Sequence, residues 1–346
     1  MTDLGTISSA ALNQYLVSAE AAGLDPQKGL AAVNIAPALL DNPLARIEGE
    51  RFEDLLCWFI EQSANPLFGL QTSQFVQPGS YSVIGYIAMS ATNMLEALSR
   101  VTLYEKLVGD MGITETRSFD ENNIEIRWLC RHQRQPVRRH LIENILGSWV
   151  RYARWLINND DLNPTQVWLE HSPPADKSQV AEYRKVFGCE VLFNQPYSAL
   201  IVQHQLLQHR LRQPDPVLFS TLDAHAAQKL SELGLDNGSL SQRVQLRIRA
   251  LIEKSIPRKE QVAEDLGMAE RTLHRRLKDE DTSWQVLLDE VRDDLAQALL
   301  RDTALSQSDI AERLGYSDTR SFQRAFKRRC GCPPGEWRQQ RPMNSQ

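Results

Sequence analysis

The chain has 346 residues, 42% of them hydrophobic and 24% charged, with a net charge of −5. That length and balance point to a two-domain globular protein and exclude a disordered or collagen-like chain. No apolar run approaches the roughly 18 residues of a membrane span, and the start Met1-Thr2-Asp3-Leu4-Gly5 lacks a signal peptide's basic and apolar regions, so a cytoplasmic location is expected.

Residues 8–64 read as a helical lead-in. Asp25-Pro26 marks a helix start with Pro at the first helical position, and Phe52, Leu55, Leu56, Phe59 and Ile60 recur at helical spacing. Residues 79–85 are punctuated by glycine. Residues 93–108 predict a helix with Leu95, Leu98, Val101 and Leu107 on one face. Residues 124–130 mostly alternate apolar with polar and predict a strand. Residues 131–140 form a basic run with two histidines, read as a solvated loop leading into a helix rather than an anion site. A long amphipathic helix follows over residues 137–157, through Leu141, Ile145, Trp149 and Leu156. Residues 167–169 and 191–193 are short strand candidates, so this first domain, residues 1–231, is expected to be mixed α+β. Trp128, Trp149, Trp155 and Trp168 are expected mainly in its core, with a place in the wall of an apolar cavity as the alternative for some of them. The Gly-, Asn- and Ser-containing stretch 232–241 is the linker candidate.

From residue 242 to 346 every periodic segment is helical, predicting an all-α second domain. The charge shifts there as well. Residues 240–346 hold 20 Lys/Arg against 17 Asp/Glu, leaving 19 against 27 for the remainder. An acidic body with a mildly basic end fits a selective DNA-binding protein better than a sequence-independent coater.

Two copies of one pattern lie in this region. The first is Val262-Ala263, Leu266-Gly267-Met268, Leu273 and Leu277-Lys278. The second is Ile310-Ala311, Leu314-Gly315-Tyr316, Phe322 and Phe326-Lys327. Each predicts a helix, a Gly-containing turn and a second helix, the geometry that presents a helix to the DNA major groove. Leu273 and Leu277, and likewise Phe322 and Phe326, lie four apart and point inward. Arg271, Thr272, His274, Arg275 and Lys278 are left for solvent or DNA in the first unit, and Thr319, Arg320, Gln323 and Arg324 in the second. Arginine matches guanine O6/N7 with two hydrogen bonds, whereas lysine at a helix end suits phosphate. Thr272, Lys278, Lys327 and Arg328 are accordingly the phosphate candidates. Ser306 to Asp309 read as a capping box, and Asp318 or Ser317 as the cap of the second recognition helix. Between the units, residues 283–300 predict one helix of about 27 Å, bearing Trp284, Leu287, Leu288, Val291, Leu295 and Leu299. Neighbouring groove segments repeat at about 34 Å, so such a rod suits two units on one DNA face.

The run from Leu305 through Asp309-Ile310-Ala311-Glu312-Arg313-Leu314-Gly315-Tyr316-Ser317-Asp318, Ser321-Phe322-Gln323-Arg324-Ala325-Phe326-Lys327-Arg328, Gly331-Cys332-Pro333-Pro334 and Trp337-Arg338 resembles the signature of AraC/XylS transcription regulators. The upstream Gly267-Met268, Arg271-Thr272-Leu273, Arg275 and Leu277-Lys278 match as well. Together they cover about residues 243–338. The resemblance implies two helix-turn-helix units joined by a central helix, with base-reading positions at Arg271, His274, Arg275, Thr319, Arg320, Gln323 and Arg324. Ala269 departs from it, standing where the family prefers a Ser cap, and Cys330 replaces the usual aromatic or other hydrophobic residue. Gly23-Leu24-Asp25, Phe68-Gly69-Leu70, Gly85-Tyr86, Glu96-Ala97-Leu98, Tyr104 and residues 186–193 resemble the arabinose-binding-type domain of one AraC subgroup, over about residues 15–225. That name is not itself evidence for sugar. This resemblance implies an effector-binding or dimerising role, with double-stranded DNA, RNA polymerase, a small-molecule effector and a second copy as partners. A regulator controlled by abundance or a protein partner, and an architectural DNA-binding protein, are the alternatives.

No enzyme is expected. Some chains with this DNA-binding module carry a methyltransferase built on Pro-Cys-His-Arg, a tetrad this sequence lacks, and Cys189 sits beside Glu190, which disfavours a thiolate. Cys330-Gly331-Cys332 is too short for a zinc knuckle, and His171, near Trp168 and Glu170, has no second ligand at metal-binding spacing, so neither a metal nor a cofactor is expected.

Overall fold

The computed structural model describes residues 4–42, 45–120, 122–233, 240–252, 256–302 and 305–340. The chain divides into two compact units, residues 1–219 and 220–346.

In the first unit, β1 (Thr6–Ser8) pairs antiparallel with β2 (Arg46–Glu48), beside α1 (Ser9–Ala21), α2 (Pro26–Ala32) and α3 (Gly49–Ser63). The Asp25 side chain caps α2, accepting from the Gln27 N–H, with Pro26 at the first helical position as expected. Phe52, Leu55, Leu56, Phe59 and Ile60 form the buried stripe of α3. Then come α4 (Phe68–Thr72), α5 (Ser82–Ser90) and α6 (Met94–Tyr104). The strands β3 (Gly112–Ser118) and β4 (Asn123–Cys130), the helix α7 (Val137–Ile157), β5 (Gln166–Trp168), α8 (Lys177–Phe187), β6 (Glu190–Leu192), β7 (Ala199–Gln203) and α9 (His204–Leu207) follow. The sheet runs β3-β4-β7-β5-β6, antiparallel except where α8 carries the chain between the parallel β5 and β6.

Three expectations need correction. Leu95 is exposed, so the inward face of α6 does not include it. The helix α7 is not simply amphipathic. It buries Glu143, Asn144 and Ser148 together with its apolar residues, because it packs against α3, α4, α8 and β4. Asn144 and Ser148 find partners on another segment. Gln14 donates to Asn144 and Ser148 at 3.1 and 2.9 Å, and Asn144 donates to Tyr15 at 2.8 Å. The basic run at 131–140 leads from a loop, exposed over residues 133–136, into α7 as expected, but it is not solvated throughout. His132 and His140 are buried, Arg138 forms a two-pronged ion pair with Glu170, and Arg139 reaches Glu143 at 2.8 Å. Glu170, from another segment, and Glu143, one turn along the same helix, take up these cations. Of the tryptophans, Trp128 is buried, but Trp155 is 39% exposed, stacked face to face with Tyr152.

Helix α10 (Pro216–Glu232) precedes the proposed linker; residues 234–239 of that linker lie outside the described residues, and Leu240 already begins α11 (Leu240–Ile252). The second unit continues with α12 (Lys259–Asp265), α13 (Glu270–Asp279), α14 (Trp284–Asp302), α15 (Gln307–Arg313), α16 (Thr319–Cys330) and α17 (Pro334–Gln340). Val244, Ile248, Val262, Leu273, Leu277, Val291, Ile310, Phe322 and Phe326 share one core. On α14 the buried C-terminal residues are Ala296 and Leu300, while Leu299 is half-buried.

Candidate nucleic-acid interface

In α12/α13 the chain turns at Gly267, where φ is +67°; in α15/α16 it turns at Gly315, where φ is +70°. Both are left-handed conformations that glycine adopts without a Cβ penalty. After each turn the second helix is anchored by two buried residues four apart, Leu273 and Leu277 in α13, Phe322 and Phe326 in α16. At about 100° per residue, Arg271, Arg275 and Lys278 fall within about 60° of one another on the side of α13 opposite its anchors. Arg320, Arg324 and Lys327 occupy the same positions relative to Phe322 and Phe326. All six are exposed.

The remaining expected residues are placed less uniformly. His274 is exposed on the flank of α13, and Thr272 is half-buried. Thr319 is half-buried at the start of α16. Gln323 is exposed and donates to Gln307 on α15 at 2.8 Å. Arg328 is exposed, 4.0 Å from Asp289 of the central helix. Arg276, absent from the expected set, is also exposed on α13. Arg329, itself exposed, forms an ion pair with the buried Asp293, whose carboxyl burial pushes up to about 6 despite that partner. An open concavity beside α16 is lined by Gln307, Arg320, Arg324, Lys327 and Glu336.

The two pairs differ at their caps. Asp318, not Ser317, caps α16, accepting from the Ser321 N–H at 2.7 Å, whereas Ala269 leaves α13 with no side-chain cap. The capping box at Ser306 and Asp309 forms as expected, with both bonds at 3.1 Å.

Several positioning groups escaped the sequence reading. Arg292, 9% exposed on α14, donates to the carbonyls of Leu314 and Gly315 at 2.7 and 2.8 Å and lies 4.7 Å from the Tyr316 ring centre. The central helix thereby grips the turn before α16. Arg338 of α17 similarly donates to the carbonyls of Leu300 and Leu305. Glu280, just past α13, accepts from the backbone N–H groups of Leu240 and Ser241 at 2.7 and 2.8 Å and caps α11. A signal for Arg292 does exist, since it is a cation inside the apolar stripe of α14. Its partners, backbone carbonyls 22 and 23 residues away, leave no trace in residue type.

The first unit holds two adjoining cavities. One, of about 590 Å³ including its open mouth, lies among α5, α6, α7, β3 and β4, with Trp128, Trp149, Tyr152 and Glu105 in its wall. The other, about 750 Å³ on the same measure, is walled by apolar residues including Met94, Leu98, Leu156 and Leu162. Cys189 is half-buried, and burial pushes its thiol up to about 11, so it is a poor nucleophile at neutral pH.

Residues 23–211 match the family model for the arabinose-binding domain of AraC transcription regulators, N-terminal, and residues 262–340 match a helix-turn-helix domain. The chain belongs to the AraC family of transcription regulators. It is 26% identical to the ornithine utilization regulator of Pseudomonas aeruginosa, over 92% of this chain and 91% of that one. It is also 26% identical to the transcriptional regulator VqsM of the same organism, over 86% and 91% of the two chains. The crystal structure of the transcriptional regulator CdpR from Pseudomonas aeruginosa superposes with a TM-score of 0.50 at 25% identity, covering 91% of this chain and 96% of that one. These AraC-type relatives are transcription regulators, and this chain is a DNA-binding regulator of the same type, with an α/β N-terminal domain and a helical C-terminal one. No helix among the described residues is long and apolar enough to cross a membrane.

Proposed function

We propose that α12/α13 and α15/α16 are two helix-turn-helix units that place α13 and α16 in successive major-groove segments of one operator, within a DNA-binding domain of residues 242–346. The observation that carries this reading is the repeated presentation of Arg271, Arg275 and Lys278 on one helix and Arg320, Arg324 and Lys327 on the other, opposite buried anchors. The 19 residues of α14 span about 28 Å between the pairs, which supports a groove-to-groove spacing of one helical turn. Base readout falls to Arg271, His274, Arg275, Thr319, Arg320, Gln323 and Arg324, and phosphate contact to Thr272, Lys278, Lys327 and Arg328. The domain of residues 1–231 binds a small-molecule effector that shifts operator affinity or recruitment of RNA polymerase. A second copy of the chain is a further partner, and the protein is a cytoplasmic regulator rather than an enzyme. The cavities of the first unit support the effector assignment, as does the name of a relative, the ornithine utilization regulator.

Fluorescence anisotropy on an operator selected from random DNA tests the readout. Arg324→Ala is expected to cost about 1–3 kcal/mol on the selected site and to relax preference at one base pair. Lys278→Ala is expected to weaken all sequences alike and to lower the salt slope by about 1. Unchanged affinity and base preference for Arg324→Ala would refute the placement of α16.

A further inference from the structure

The smaller of the two cavities has an unusual wall. Trp128, Trp149, Tyr152 and Tyr81 supply its aromatic lining, Met111 and Ile145 add apolar residues, and Glu105 is its one acidic residue. Glu105 begins the single 3-10 turn that follows α6, and its Oε2 accepts from the Thr114 N–H of β3 at 2.9 Å. That bond fixes the carboxyl group beside Thr114, which lines the same cavity.

What Glu105 lacks is a cation. Elsewhere in this unit Glu125 pairs with Arg127, Glu143 with Arg139 and Glu170 with Arg138. Among the described residues no Lys or Arg forms an ion pair with Glu105. Burial pushes its carboxyl up to about 7, against the Thr114 hydrogen bonds and the more distant charges of Arg131 and Lys106. A carboxylate withdrawn from water without a partner is costly, and a bound cation removes that cost. Aromatic residues in the same lining suit the same kind of ligand, because the negative face of a ring favours an organic ammonium over a neutral or anionic group.

We propose that this cavity is a binding site for a small organic amine, with its ammonium on Glu105 and its apolar body against Trp128 and Trp149. The adjoining apolar cavity shares Ala88, Val101 and Trp149 with it, so a longer hydrocarbon tail has a continuation along the same wall. The inference rests on the effector reading above and specifies its site and ligand chemistry.

Phenethylamine serves as the probe, with 2-phenylethanol and 3-phenylpropionate as neutral and anionic matches. Binding to the full chain at pH 8 is measured by calorimetry and by quenching of tryptophan fluorescence, since Trp128 and Trp149 line the site. The amine is expected to bind at least about ten-fold more tightly than the alcohol, a difference of about 1.4 kcal/mol. Glu105→Gln, which keeps an oxygen for the Thr114 N–H, is expected to erase that preference and leave alcohol binding unchanged. Should Glu105→Gln fail to fold, Trp149→Leu offers a second arm, expected to weaken the amine at least about three-fold more than the alcohol. Equal binding of amine and alcohol by the wild-type chain, or no amine binding, overturns the proposal. Operator affinity with and without saturating amine is measured separately. Amine bound at Glu105 without any change at the operator or in transcription supports the site and counts against the effector reading. Operator affinity shifted by another metabolite, with no amine bound, does the reverse.

Discussion

The grip of Arg292 on the turn before α16 yields a prediction with an internal control. Arg292→Met keeps the length and much of the contact with Tyr316 but removes both donors to Leu314 and Gly315. Hydrogen bonds from a charged group contribute about 1.5–3 kcal/mol each, so two represent about 3–6 kcal/mol. Water reaches the half-buried Gly315 carbonyl in the variant and offsets part of this, which places the local loss near the lower end, about 3 kcal/mol. In the opening equilibrium that is roughly a hundred-fold. Hydrogen exchange on the full chain reads it directly. The amides of Gly315 and Tyr316, bonded to the carbonyls of Glu312 and Ala311, are expected to lose about a hundred-fold in protection. The corresponding amides of Gly267 and Met268, bonded to Glu264 and Ala263, are expected to stay within a few-fold. Affinity for an operator is expected to fall mainly through the half-site contacted by α16. Unchanged protection at Gly315 and Tyr316, or equal loss in both turns, would show that Arg292 does not position this turn.

The uncapped start of α13 invites the reverse experiment. Ala269→Ser should supply the missing side-chain acceptor and add about 1 kcal/mol to local stability, while Asp318→Ala should remove a similar amount from α16; exchange rates in the first turn of each helix measure both. The ionisation of Glu105 predicts a pH dependence. Its folded pKa of about 7 lies above the ordinary carboxylate value near 4.3, so the native state favours the protonated form. Stability from this group is therefore complete below about pH 4.3 and is lost as pH rises through about 7, by at most about 3–4 kcal/mol. Glu105→Gln should accordingly raise stability relative to wild type at pH 8 but not at pH 4. A stability difference between the two chains that is the same at pH 4 and pH 8 would contradict the raised pKa. Phenethylamine, if it binds at Glu105, should narrow the gap at pH 8.

Much of the second unit was legible in residue order because its structure is local. The turns at Gly267 and Gly315, the anchors Leu273, Leu277, Phe322 and Phe326, and the capping box at Ser306 are set by contacts within a few residues, which spacing reports directly. In the first unit the same logic placed Asp25-Pro26, the stripe of α3 and the strand β4. It missed β1, β2 and β7, whose partners are non-local, and also α8 and β3, although β3 pairs with β4, its neighbour in the chain. Only the tertiary structure decided where the polar and charged residues went. It buried Glu143, Asn144 and Ser148 on α7, tied the basic run at 131–140 to carboxylates as far away as Glu53 and Asp54, and left Glu105 without an ion-pair partner in an aromatic cavity. The reason is physical. Hydrophobic periodicity tells which face of an element turns inward, whereas the stability and chemistry of a buried charge depend on partners from other elements, whose positions no spacing along the chain encodes.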